Sequence, residues 1–357
     1  MTDKTMAVYI NGIGSVSPQE TRADMMLLSE PRAYSGNRLS CIEPDYAQYI
    51  DPKQSRRMSR VLKMGVTASS IALQEAVVTV PDGIITGTGF GCLEDTGIFI
   101  RKMVEHGEQA LNPTPFIQST HNTIGSQISL LLICQGYNQT YTQEGFSFEN
   151  SLLDAFLELR EHPDQILLTG AVDEITDFSH EIQSRFGIFR KVSDSSLDLF
   201  NSSSKGVLHG EGAFYFALSG KKRQETLARI NSITPLNNAT KAEIVNGINQ
   251  FIQSALLEPK DLDLVLLGKC GDVDLDRETE EISKQAFGSV PVGLFKHLSG
   301  EYPTASAFAL WLGARIIQTQ KIPAVVFNGR INQPLRNILI YNPYFKHYHS
   351  LILLQAC

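Results

Sequence analysis

The chain has 357 residues, 42% of them hydrophobic, and a formal net charge of -7. These values exclude a disordered chain and a general nucleic-acid binder, which needs a strong positive field, and leave room for one large domain or two similar ones. The five cysteines (Cys41, Cys92, Cys134, Cys270, Cys357) stand singly, so neither a zinc site nor a disulfide framework is expected.

No apolar run reaches the roughly 18 residues of a membrane span. The start passes straight into V-Y-I-N-G-I-G with no basic-then-apolar leader, so a reducing cytoplasm is the expected location. Strand and helix patterns then alternate, which predicts an α/β fold with buried sheets. Residues 8–13 read as a strand ending in a glycine turn, and 56–77 as a helix with apolar residues at helical spacing. Residues 83–91 (G-I-I-T-G-T-G-F-G) read as a buried strand and a glycine turn. No lysine follows in Walker position and G-x-G-x-x-G is not met, so a tight turn is weighed above a phosphate loop. A helix is expected over 115–134. Thr140, Tyr141 and Thr142 then form a strand that turns through Gly145 into a helix. Residues 165–170 are a buried strand, 191–205 a polar loop and 213–218 a strand. The basic stretch 219–225 is the candidate boundary between two halves. Beyond it come a strand (228–233), a helix (242–256), a strand (262–267), helices over 278–287 and 304–319, and a last strand over 350–354.

A strand turning sharply into a helix is where many enzymes hold a nucleophile, because the helix N-terminus stabilises negative charge there. Ser147 is the hydroxyl nearest that turn, yet Glu149 stands where G-x-S-x-G requires its second glycine, and a first-turn serine also serves as a cap. The eight histidines include no pair at ligand spacing. No metal or other cofactor is expected.

Several segments, in order and over nearly the whole chain, resemble the β-ketoacyl synthases of the thiolase fold. They are V-Y-I-N-G-I-G-S-V-S-P, R-R-M-S-R-V-L-K-M-G-V-T-A-S-S-I-A-L-Q-E-A, I-I-T-G-T-G-F-G-C, G-Y-N-Q-T-Y, I-L-L-T-G-A-V-D-E and G-V-L-H-G-E-G-A. The resemblance implies a thiolase-like fold of two similar βα halves, here 1–222 and 223–357, in a layered αβαβα core. It also implies a cysteine on the elbow to carry the acyl chain, two histidines to polarise a malonyl thioester, and a supporting lysine. Counted from Asn138, the cysteine position is Gly145. The first histidine position is Gly268, or Lys269 after a one-residue slip, and the second is Glu301. Lys296 is the family lysine, retained, with a structural pairing to Glu301 as its other reading. The family's gating loop is replaced by Y-F-K-H-Y-H (344–349), with Phe345 as the gate.

Without nucleophile and imidazoles, condensation by this chain alone is not expected, and a carboxylate at 301 has the wrong sign for a developing enolate. Whether it is an enzyme is left open. The chain is similar in character to chain-length factors, the inactive partners of ketosynthases in fatty-acid, polyketide or polyene synthesis. The implied partners are an active ketosynthase subunit in a dimer, an acyl carrier protein and an acyl chain. The implied pocket takes Phe116, Ile117, Thr120 and Ile124 on one helix face, with Phe146, Ser147, Glu149 and Phe345; the first four also fit a plain core face. Within the basic run Lys53, Arg56, Arg57, Arg60 and Lys63, the carrier-docking positions are Lys53 and Arg56, or the run is a solvated face. The competing functions are a divergent acyltransferase or hydrolase using Ser147 with Glu149 or Glu301, and a homodimeric acyl-binding protein.

Overall fold

The structure is a computed structural model that describes residues 7–21, 27–191, 194–331 and 334–357. Ten strands form one sheet whose two halves repeat the same plan. In chain order the first half contributes Val8–Val16, Gly83–Gly87, Tyr137–Tyr141, Ile166–Asp173 and Gly212–Ser219, and the second Ala228–Asn237, Leu264–Leu267, Val292–Leu294, Asn337–Tyr344 and Tyr348–Gln355. Within each half the spatial order is third, second, fourth, fifth, first. The third–second and second–fourth pairs are parallel and the others antiparallel in both halves. The two first strands meet at the centre, antiparallel, with Tyr9 opposite Arg229. The repeat that no sequence period displays is therefore plain in the topology.

Alternation along the second-half strands sorts side chains into layers. Leu264, Leu266, Ile338 and Ile340 face a central core that also holds the helices Ser147–Glu161 and Ser306–Thr319. Val265, Leu267, Leu339 and Tyr341 face the outer helices Lys241–Ser254 and Val273–Phe287. Across the first half, Ile84, Leu168 and Val172 meet Arg60–Glu75 and Thr123–Leu132. The result is the layered αβαβα arrangement. The Ser306–Thr319 helix is buried on every side through Ile317, packed against strands from both halves of the sheet. Gly14 lets the Arg60–Glu75 helix lie on the first strand: a Cβ there would stand 1.9 Å from the Ala68 carbonyl oxygen.

Three expectations are corrected. The helix over 56–77 is Arg60–Glu75, preceded by a separate turn, Pro52–Ser55. The helix over 115–134 is two, Pro113–Gln118 and Thr123–Leu132. The helix placed at 278–287 starts at Val273, where Asp272 caps it by accepting from the amides of Asp274 and Leu275. Within the loop over 191–205, residues 192 and 193 lie outside the described residues.

Candidate functional site

The strand Tyr137–Tyr141 turns through Glu144–Phe146 into the Ser147–Glu161 helix, with Glu144 at φ +45°. Ser147 Oγ accepts from the Gln143 amide at 2.9 Å and donates to the Glu144 carbonyl at 2.9 Å. Among the described residues no histidine hydrogen-bonds to it, so the hydroxyl is tied into the preceding turn and has no base to activate it. At Gly145 a Cβ would lie 2.7 Å from Tyr344 Cδ1 and 2.9 Å from Tyr348 Cβ and Cγ. These rings come from the hairpin of the last two strands, which brings Y-F-K-H-Y-H over the elbow. The Phe146 ring meets Tyr348 edge-on at 5.0 Å, and the Tyr348 hydroxyl donates to Glu144 at 2.7 Å. Tyr344 and Tyr348, which the sequence reading did not single out, fill the space above position 145.

Behind the elbow is a buried charged group. Lys296 is fully buried, and its Nζ donates to both Glu301 carboxylate oxygens, at 2.9 and 2.8 Å, and to the Pro343 carbonyl at 2.7 Å. Burial pushes the Glu301 carboxyl up and Lys296 draws it back. A Cβ at Gly268 would stand 2.5 Å from Asn342 Oδ1 and 3.2 Å from Lys296 Cε. Gly268 therefore faces this group, whereas Lys269 turns away to Glu280 at 2.5 Å. Glu149 is buried in the first turn of the elbow helix with neither carboxylate oxygen hydrogen-bonded; the Ser306 and Ser350 hydroxyls lie nearby but out of bonding geometry. Desolvation raises its pKa to about 7.

The glycine turn after Gly83–Gly87 does not present free amides. Asp173 accepts from the Gly89 and Phe90 amides and from Thr88 Oγ1, each at 2.9 Å, and from Thr304 Oγ1 at 2.8 Å. Burial raises the Asp173 carboxyl to about 6 against those donors. The tight-turn reading holds, and the acid that fastens the turn is one the sequence reading did not single out. Glu211 of G-V-L-H-G-E-G-A plays a similar part. It takes Arg60 in a double hydrogen bond at 2.6 and 2.7 Å, together with the Cys41 and Ile175 amides.

Phe116, Ile117, Thr120 and Ile124 do not share a face. The helix breaks between Gln118 and Thr123, leaving Phe116 and Ile117 57% and 65% exposed and Thr120 exposed, while Ile124 is buried against the Arg60–Glu75 helix. The cause is local: Ser119 Oγ donates to the Phe116 carbonyl, and the Thr120 and Thr123 hydroxyls pair at 2.9 Å. Lys53, Arg56 and Arg57 are exposed on and just after the Pro52–Ser55 turn, and Lys63 is half-buried. Arg60 is committed to Glu211 and Glu43. Phe345, at φ +51°, borders a cavity of about 40 Å³ shared with Phe90, Phe189, His209, Glu301 and Tyr344.

No protein-family model matches the chain. Among curated proteins it is similar to 3-oxoacyl-[acyl-carrier-protein] synthase 2 of Staphylococcus aureus strain N315. That match is 23% identical over 176 residues, 46% of this chain and 42% of that protein, so it spans less than half the relative's length. Among solved structures, the ishigamide ketosynthase/chain length factor matches at TM-score 0.81 and 16% identity, covering 99% of each chain. The ketosynthase ApeO in complex with its chain length factor ApeC, from Xenorhabdus doucetiae, matches at TM-score 0.75 and 14% identity, covering 100% of each chain. The fold is the α/β, thiolase-like fold of the β-ketoacyl synthases. The chain's resemblance to those synthases stands, with ketosynthase/chain length factor assemblies among its structural neighbours.

Proposed function

We propose that this chain is a chain-length-factor-like subunit that does not condense by itself and shapes the acyl pocket of a partner ketosynthase in fatty-acid, polyketide or polyene biosynthesis. The observation that carries the reading is the closed elbow: position 145 has no side chain, and Tyr344 and Tyr348 occupy the space a cysteine would need. Gly268, Lys296 and Glu301 are the family's histidine, lysine and histidine positions in this reading, and a buried ion pair replaces the imidazoles. The two halves divide at the 219–225 loop.

A partner has a surface to meet. Tyr137–Tyr141 is the last strand of the sheet, largely exposed and free of proline and charge, as strand addition requires. Exposed apolar side chains are carried on three neighbouring helices, Val104 on Leu93–Glu105, which packs against both others, Phe116 and Ile117 on Pro113–Gln118, and Phe178 on Asp177–Arg185. The occupant is a ketosynthase-like subunit, and an acidic acyl carrier protein docks at Lys53 and Arg56. The described residues contain no helix long and apolar enough to cross a membrane.

The test is purification from the native source. A cysteine-bearing synthase recovered in equal amount is the expected result. A homodimer holding an acyl ligand would instead favour the acyl-binding protein, and a lone monomer would contradict both.

A further inference from the structure

His209, in the G-V-L-H-G-E-G-A segment, is 1% exposed. Its Nδ1 lies 2.8 Å from Nδ1 of His180, and both rings stack on Phe189, at 4.3 and 4.7 Å between centroids. Two Nδ1 atoms at that distance share one hydrogen, so one ring donates and the other accepts, and the tautomers of the two rings are coupled. The other nitrogen of His209, Nε2, is buried without a hydrogen-bond partner, and His209 lines the 40 Å³ cavity together with Glu301. At roughly 10–15 Å³ of such volume per water, the space takes about three. At the opposite end, His180 sits beside Arg38 and Asp177, a surface ion pair at 2.5 Å.

We propose that His180 and His209 form a proton path connecting solvent near Arg38 and Asp177, through water in this cavity, to the buried Glu301 carboxylate. This inference is independent of any partner subunit. In each transfer a proton binds His180 Nε2, the His180 Nδ1 hydrogen passes to His209 Nδ1, and the His209 Nε2 hydrogen leaves through water to a Glu301 oxygen. Both rings finish neutral with their tautomers exchanged, and the carboxylate has gained one proton. The charged and titratable groups that act on the path are Arg38 and Asp177 at its outer end and Lys296, Asp276, Cys270, Tyr302 and Tyr344 around Glu301. Phe90 and Phe189 form apolar walls of the cavity, and Tyr302, whose hydroxyl is buried without a hydrogen-bond partner, and Tyr344 also line it.

Time-resolved infrared spectroscopy after a drop from alkaline to mildly acid pH tests it on the whole chain. The protonated-carboxyl band that Glu301→Gln removes is expected to grow faster than the band that Glu149→Gln removes, because Glu149 is equally buried but has no imidazole beside it. His209→Leu and His180→Leu should each slow the Glu301 band by about a hundredfold or more, the scale of proton transfer by a positioned side chain, while its final amplitude stays the same. A purely structural role would change amplitude and leave the rate alone. Equal rates for the two carboxyls in the unaltered protein, or no band dependent on Glu301, overturns the proposal.

Discussion

Lys296 and Glu301 form a closed pair inside the molecule: each of the three Nζ hydrogens has an acceptor, and both carboxylate oxygens face the ammonium. Removing one partner leaves the other charge in the core without compensation. Lys296→Met or Glu301→Leu is therefore expected to lower unfolding free energy by about 3–5 kcal/mol, whereas the double variant loses much less. Denaturant unfolding of the three variants measures the cycle, and additive losses would mean that the pair is not coupled.

Placing a cysteine at the elbow tests the packing claim. Gly145→Cys places a side chain where Tyr344 and Tyr348 already stand. It is expected to cost about 1–3 kcal/mol, in the range of overpacked cores, and Tyr348→Ala in the same chain should recover part of that loss. Thermal unfolding reads both, and a neutral Gly145→Cys would show that the hairpin yields without strain.

The pH dependence has a defined sign. Glu149 is held near 7 against an ordinary value of 4.5, so the folded state binds its proton more tightly than the unfolded chain does. Its contribution is complete below the unfolded value and is lost as pH rises through about 7. Glu149→Gln is expected to raise stability at alkaline pH by on the order of 3 kcal/mol, and the gain should vanish towards pH 4.5, the ordinary carboxyl value. His209 works in the opposite sense. Burial depresses it to about 3, so its contribution is present above the ordinary histidine value and is lost as pH falls from there.

Carrier docking predicts a salt-sensitive contact. Lys53→Glu with Arg56→Glu should weaken binding of an acidic acyl carrier protein by about tenfold or more at low ionic strength, with the difference shrinking as salt screens it. The melting temperature should stay the same, since both side chains are exposed. Calorimetric titration at two salt concentrations measures it, and unchanged affinity would make this run an ordinary solvated face.

The unbroken apolar run over 264–267 reads as a strand buried on both faces, and the glycines of V-Y-I-N-G-I-G fall where a helix lies on the first strand, so both signals follow from what those residues pack against. It concealed the strand Asn337–Tyr344, whose Pro343 argues against a central strand. In the fold that proline lies beyond the parallel pairing with Leu264–Leu267, which ends at Tyr341, so its missing amide leaves no partner unmet on that side. The break in the helix before the elbow had a signal, the run S-T-H-N-T whose hydroxyls compete for the backbone, and apolar spacing outweighed it. The elbow's position and the Lys296–Glu301 pair were both legible, one as a strand running through Gly145 into a helix and the other as two charges five residues apart. The rings over Gly145, the placement of Gly268 beside Lys296 with Lys269 turned to Glu280, and the His180–His209 contact depend on residues far apart in the chain, which no local pattern reports.

The central claim is that this chain lacks a site of its own for an acyl thioester and serves one in another subunit. The direct measurement incubates the purified chain with acyl and malonyl carrier proteins, alone and with a cysteine-bearing synthase partner, and follows both product and intact protein mass. The account predicts no condensation and no acyl adduct on the chain alone, with product formed only when the partner is present. Product from the isolated chain, or a stable acyl adduct on Ser147, would contradict it.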